Sequence, residues 1–295
     1  MLVPFRIICA AILLASIASI AQSAEIGFGY VGISCAHDDP LDAELKSDYA
    51  DEVAGFTSVN HVCLTGNHDR DVAMLRATAT HFAPLLQVEP FLFEFSRGQG
   101  RLNPEIETLW PQVRKTVADS GIDPAGIVFY LVDEPGLRGL PAVDVEAAAA
   151  RVKRDFPASR TMIVEAFHAG GAPVIPTHVD LWGFDAYTIR DPAADETYLS
   201  HFRKAQAALL PHQNLALIGD GNFTPAHAEA GLLEKDMAIV AENYARFAMT
   251  QERVALLIFY TWPGGIDGLQ EKGVRDMGER VIAAHKAMGR RLTGK

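Results

Sequence analysis

The chain alternates, and this alternation limits the folds open to it more than any other feature. From Glu25 to the end, eight apolar strand-like runs are separated by helix-like stretches. The strand candidates are Ile26–Ser34, Ser58–Thr65, Leu85–Phe95, Ile127–Val132, Thr161–Ala166, Val179–Tyr187, Leu215–Gly219 and Val254–Trp262. The helix candidates are Asp42–Val53, Asp71–His81, Glu105–Ala118, Val143–Phe156, Asp195–Leu209, Ala226–Met249 and Leu269–Met288. Such runs suit parallel strands covered on both faces. Eight βα units in 295 residues predict an α/β protein, a single-domain (β/α)₈ TIM barrel over residues 24–295. The competing fold, an open doubly wound sheet, carries a glycine-rich phosphate loop after its first strand. Here Cys35-Ala-His-Asp-Asp-Pro40 follows instead.

Residues 1–23 stand apart. Arg6 precedes an unbroken apolar run, Ile7–Ile20, and then the small and polar Ala21-Gln-Ser-Ala24. This order reads as a secretory signal cleaved after Ala21 or Ser23, and the run is short for a membrane span. The expected product is secreted or periplasmic, with no membrane contact once the signal is gone. A net charge of −11 argues against nucleic acid and anionic lipid as partners. Cys35 and Cys63 fall on the first two strand candidates. In an oxidising compartment they can bond, or each can serve as a small buried hydrophobe. Neither has a metal-ligand partner at short spacing, so no metal is expected.

The strand tips of a barrel share one rim, and here they gather acids, histidines and aromatics. Asp38 and Asp39 follow strand one, Asn67 and His68 strand two, and Glu94 lies near the end of three. The fourth run, Gly126-Ile-Val-Phe-Tyr-Leu-Val, stops abruptly at Asp133-Glu134-Pro135. Glu165 and His168 belong to strand five, Asp185 and Tyr187 to six, Asp220 to seven, and Tyr260, Trp262 and Asp267 to eight. Carboxylates can hydrogen-bond sugar hydroxyls, flat rings can pack on C–H faces, and glycoside cleavage needs carboxyl groups at the scissile bond.

At these positions the chain resembles the (β/α)₈ glycoside hydrolases of the clan containing cellulases, mannanases and β-galactosidases. Those enzymes carry Asn-Glu, often followed by Pro, at strand four, with the Glu as acid/base; Val132-Asp133-Glu134-Pro135 occupies that place. Their strand-six tyrosine contacts the nucleophile, and Gly183-Phe-Asp185-Ala-Tyr187 fits. Their strand-seven Glu is the nucleophile, where Gly219-Asp220-Gly221 stands. Their strand-eight tryptophan floors the sugar site, matched by Phe259-Tyr260-Thr261-Trp262. The resemblance implies an exported glycosidase with a carbohydrate substrate and no cofactor. It makes Glu134 the acid/base and Asp220 the base or nucleophile, oriented by Tyr187. Asp133 positions the substrate or Glu134. Asp185, Tyr260, Glu165 and His168 would bind substrate, and Trp262 would form the platform.

Two departures keep the mechanism open. Asp133 replaces Asn, and Asp220 replaces Glu. Aspartate is one methylene shorter, which withdraws its carboxylate by roughly 1.5 Å and suits a water-activating base better than a nucleophile. Some hexosaminidase barrels also resemble this chain in carrying adjacent Asp-Glu at strand four. There the Asp orients a 2-acetamido group that attacks the anomeric carbon, so Asp133 and Glu134 would be the whole catalytic pair. Strand residues alternate in direction, so this requires the strand to have turned at Asp133. A non-catalytic carbohydrate-binding barrel is the third reading.

Other signals carry less. Gly66-Asn67-His68-Asp69 resembles one block of two-metal phosphoesterases, but the further Asp and His ligands are missing from the sequence. Asn67 and His68 otherwise serve the rim or cap the next helix. No Gly-x-Ser-x-Gly elbow is present. Trp182 should face outward and Trp110 should pack within a helix layer.

Overall fold

The computed structural model describes residues 26–167 and 173–295. The expected signal segment and His168 lie outside them. Among the described residues ten strands are formed: β1 Gly27–Tyr30, β2 Val59–Cys63, β3 Ala83–Gln87, β4 Phe93–Ser96, β5 Gln99–Leu102, β6 Val128–Asp133, β7 Arg160–Ala166, β8 Leu181–Asp185, β9 Asn214–Asp220 and β10 Val254–Tyr260. Eight of them make one parallel sheet in the order β1-β10-β9-β8-β7-β6-β3-β2. Between β1 and β2 there is no full ladder. The Ser34–Val62 bridge and the amides of Ser58 and Ser34, donating to the Phe28 and His61 carbonyls, nearly close the sheet. The result is the expected (β/α)₈ barrel.

Alternation along the strands builds two apolar layers. Val59, Leu85, Val128, Tyr130, Met162, Val164, Ile218 and Ile258 fill the barrel. Phe28, Phe129, Trp182, Phe184 and Phe259 face outward to the helices. Trp182 therefore points out, as its parity predicts, and Trp110 packs edge-on against Phe156 in the helix layer.

The helices are α1 Ala50–Val53, α2 His68–Ala79, α3 Glu89–Leu92, α4 Ile106–Ser120, α5 Ala142–Asp155, α6 Glu196–Ala208, α7 Pro225–Glu229, α8 Met237–Met249 and α9 Glu279–Thr293. Their departures from expectation have local causes. Residues 42–49 do not join α1, because Asp38, Asp39 and Asp42 accept backbone amides of Lys46, Leu41 and Glu44, a competing use of the backbone. The third strand stops at Gln87, since Pro90 has no N–H for a ladder and sits easily in the first turn of α3. Phe93–Leu102 then forms a β4–β5 hairpin, in which Glu94 pairs with Arg101 at 2.8 Å rather than reaching the barrel rim. The single long helix expected over 226–249 breaks at Gly231, whose φ is +84°. Asn67 caps α2 by accepting the Arg70 amide.

Candidate active site

The chemistry at the tip of β6 depends on a change of parity. Val128 and Tyr130 point into the barrel, and simple alternation would send Asp133 out. The pairing with β7 shifts between Tyr130 and Val132, so Leu131 and Val132 both face outward and Asp133 turns inward to line the cleft. A bulge commonly re-aims a side chain in this way. The strand ends at once: Glu134 has φ +44°, a left-handed conformation uncommon for a residue with a Cβ. Its amide is fixed to the Val164 carbonyl at 2.7 Å. The strand has therefore turned at Asp133, which lines the cleft, and Glu134 follows at the turn itself.

Asp133 is held from three sides. The Tyr130 hydroxyl donates to its Oδ1 at 2.5 Å. Its amide donates to Glu89 Oε2 at 3.1 Å. Arg138 bridges Glu89 and the Asp133 carbonyl. Across the mouth, Asp185 comes inward from β8 and shares hydrogen bonds with Glu134 and Tyr187. Burial raises the Asp133 carboxyl to about 6, against the opposing Tyr130 hydrogen bond. Burial, and then the charges of Glu134 and Asp133, raise Asp185 to about 7. Asp133 and Asp185 are thus harder to ionise than ordinary carboxyls, and Asp185 keeps part of its proton near neutral pH. Displaced carboxyls of this kind are suited to acid–base work.

The cleft is about 250 Å³. Tyr130, Tyr187 and Tyr260 line it, with the Tyr187 and Tyr260 rings 5.8 Å apart. Asp267 also lines it, and among the described residues no lysine or arginine does. Its opposite wall carries Cys35, His61, Cys63 and Gln87. Cys35 and Cys63 are disulfide-bonded, which decides between the two alternatives left open for them.

Several expected site residues lie elsewhere. Asp220 is fully buried. Its carboxylate contacts His227 Nε2 at 2.9 and 3.0 Å and accepts the Thr188 amide at 2.8 Å. It is not among the residues that line the cleft. His227 sits on α7, seven residues on, and is oriented by Thr224. Asp220→Asn should cost about 1–3 kcal/mol, because a buried hydrogen-bonded charge is replaced by an imperfect partner. Denaturant unfolding checks this, and a variant as stable as wild type would refute the structural role. Trp262 is also buried, 2% exposed. It packs on Tyr30 and Phe56, and its indole N–H donates to Glu52 at 2.7 Å, so Tyr187 and Tyr260 offer the cleft's rings instead. Glu165 faces outward from β7, the parity opposite to Met162 and Val164, and accepts the Gly136 amide at 3.1 Å. It braces the loop after Glu134 rather than the cleft.

No protein-family model and no curated protein matches this chain. Solved structures do. Xylanase 10B from Thermotoga maritima superposes with a TM-score of 0.57 at 11% identity, covering 93% of this chain and 98% of that one. The β-mannanase AaManA from Alicyclobacillus acidocaldarius gives 0.53 at 14% identity, covering 92% and 97%. Active domain 2 of a chitinase from Pyrococcus furiosus gives 0.54 at 12% identity, with the same coverages of 92% and 97%. At these identities the likeness is one of fold: the chain is a single (β/α)₈ barrel with a remote resemblance to glycoside hydrolase barrels.

Proposed function

We propose that the chain is an exported glycoside hydrolase that cleaves 2-acetamido sugars with help from the substrate itself. One observation carries the reading. Asp133 lines the cleft and the adjacent Glu134 bonds to Asp185, which also lines it, while the strand-seven acid, Asp220, is buried against His227. A pair acting through a protein nucleophile needs a second carboxylate across the scissile bond, and β9 offers none. A substrate-borne nucleophile removes that need. Glu134 donates a proton to the leaving oxygen. The acetamido oxygen attacks the anomeric carbon, while Asp133 accepts its N–H and balances the developing positive charge. Water then opens the bicyclic intermediate, with Glu134 as base. Tyr130 keeps Asp133 in place, and Asp185 shares the proton that Glu134 uses.

The test is a panel of aryl glycosides that differ only at C2, acetamido against hydroxyl. The acetamido member should be cleaved faster by about a hundredfold or more, the advantage of an intramolecular nucleophile. Equal rates on both would exclude the substrate-assisted route.

A further inference from the structure

The wall of the cleft opposite the acids holds a second cluster that the hydrolysis reading does not use. Cys35 follows β1, while His61 and Cys63 lie two residues apart on the same face of β2. The spacing of the cysteines alone suggests no ligand set. The fold supplies the third member: His61 Nδ1 lies 3.4 Å from Cys35 Sγ. The three side chains place their ligand atoms within 4.8 Å of one another. Tetrahedral zinc, with bonds of about 2.3 Å to sulfur and 2.0–2.1 Å to nitrogen, sets its ligands roughly 3.5–3.8 Å apart. One edge of that figure is already in place, and the other sulfur can reach it by side-chain rotation once the S–S bond is broken.

His61 is prepared for the role. Its ring is buried. Nδ1 accepts the Gly32 amide at 3.0 Å, so the proton sits on Nε2 and a cation must displace that amide to take Nδ1. The Gln87 side chain, hydrogen-bonded to this ring, can accept that proton. A ligating histidine is usually held by such an outer partner on its far nitrogen. Gln87 Oε1 also lies 3.0 Å from Cys63 Sγ.

We propose that Cys35, His61 and Cys63 form a redox-gated site for one soft divalent cation such as Zn²⁺. The disulfide closes the site. A dithiol or phosphine reductant opens it, delivering two electrons while two protons convert the bond to two thiols. The cation then binds both thiolates and His61 Nδ1 and releases the two thiol protons. The inference does not depend on the sugar chemistry.

The test uses the full chain, oxidised or reduced with a phosphine, titrated with Co²⁺ as a spectroscopic stand-in for Zn²⁺. Reduced protein should take up one Co²⁺ and develop thiolate-to-metal absorption, and oxidised protein should do neither. His61→Ala should weaken uptake by about tenfold or more. If reduction loosens the fold, the cation should restore its near-ultraviolet dichroism, because binding and folding are linked at such sites. A reduced chain with no thiolate absorption, uptake unchanged in His61→Ala, or a loosened chain that the cation does not restore would each overturn the proposal.

Discussion

Glu134→Gln should reduce glycoside cleavage by about a hundred- to ten-thousandfold, the range of general acid–base catalysis, while leaving sugar binding close to wild type. The amide keeps the shape and the hydrogen-bond donor but cannot release a proton to the leaving oxygen. The loss should be largest for sugars with poor leaving groups, which depend most on protonation, and smallest for activated aryl glycosides. Rates measured on both kinds of leaving group check this. An equal loss on both would mean that Glu134 acts on something other than the departing oxygen. Undiminished activity would place the chemistry outside the β6 tip.

Asp185→Asn should stabilise the barrel at alkaline pH and have little effect in acid. Folding raises the Asp185 carboxyl to about 7 and Asp133 to about 6, from the usual carboxylate range. The folded state therefore holds protons that the unfolded chain has released. Stability falls with rising pH wherever the native state binds more protons. The penalty is absent below about pH 4, where both states are protonated. It grows through pH 5 and 6 and is complete once pH passes the folded value near 7. The amide removes it and can keep both neighbours, accepting from Tyr187 and donating to Glu134. At about 1.4 kcal/mol per pKa step, with the proton shared between neighbours, the gain at pH 8 is on the order of 2–4 kcal/mol. That corresponds to roughly 5–10 °C in melting temperature. Melting curves at pH 4 and pH 8 give the answer. An equal shift at both would assign the effect to packing rather than charge.

The barrel could be read from the sequence because its evidence is repeated: eight apolar runs, each long enough for a buried strand, separated by helical stretches. The tip of β6 could be read because a buried run of Val-Phe-Tyr-Leu-Val ends on two acids with no side-chain transition between them. The inward turn of Asp133 could not. It depends on a one-residue shift against β7, and a bulge leaves no mark in hydrophobic periodicity. Asp220 looked catalytic because its place on β9 was right. Its partner His227 lay inside a helix candidate, but nothing in the sequence ties the start of that helix, the five-residue α7, to the tip of β9. Trp262 looked like a platform because aromatic residues at strand tips serve both cleft and core. The Tyr30 and Phe56 rings that enclose it come from distant parts of the chain. His61 lay inside a strand and drew no notice, since only the closure of the barrel brings Cys35 beside it.

The left-handed backbone at Glu134 bears on how this protein could be improved or degraded. A side chain there costs on the order of 1–2 kcal/mol that glycine would not incur. Selection for thermal robustness alone would therefore reward glycine at this position and, on the acid role proposed for Glu134, drift toward sturdier, inert barrels. An engineer stabilising the scaffold should freeze position 134 from the start. The same reasoning supplies a diagnostic for relatives found later: a sequence that keeps the β6 run but carries glycine where Glu134 stands would have exchanged turnover for durability.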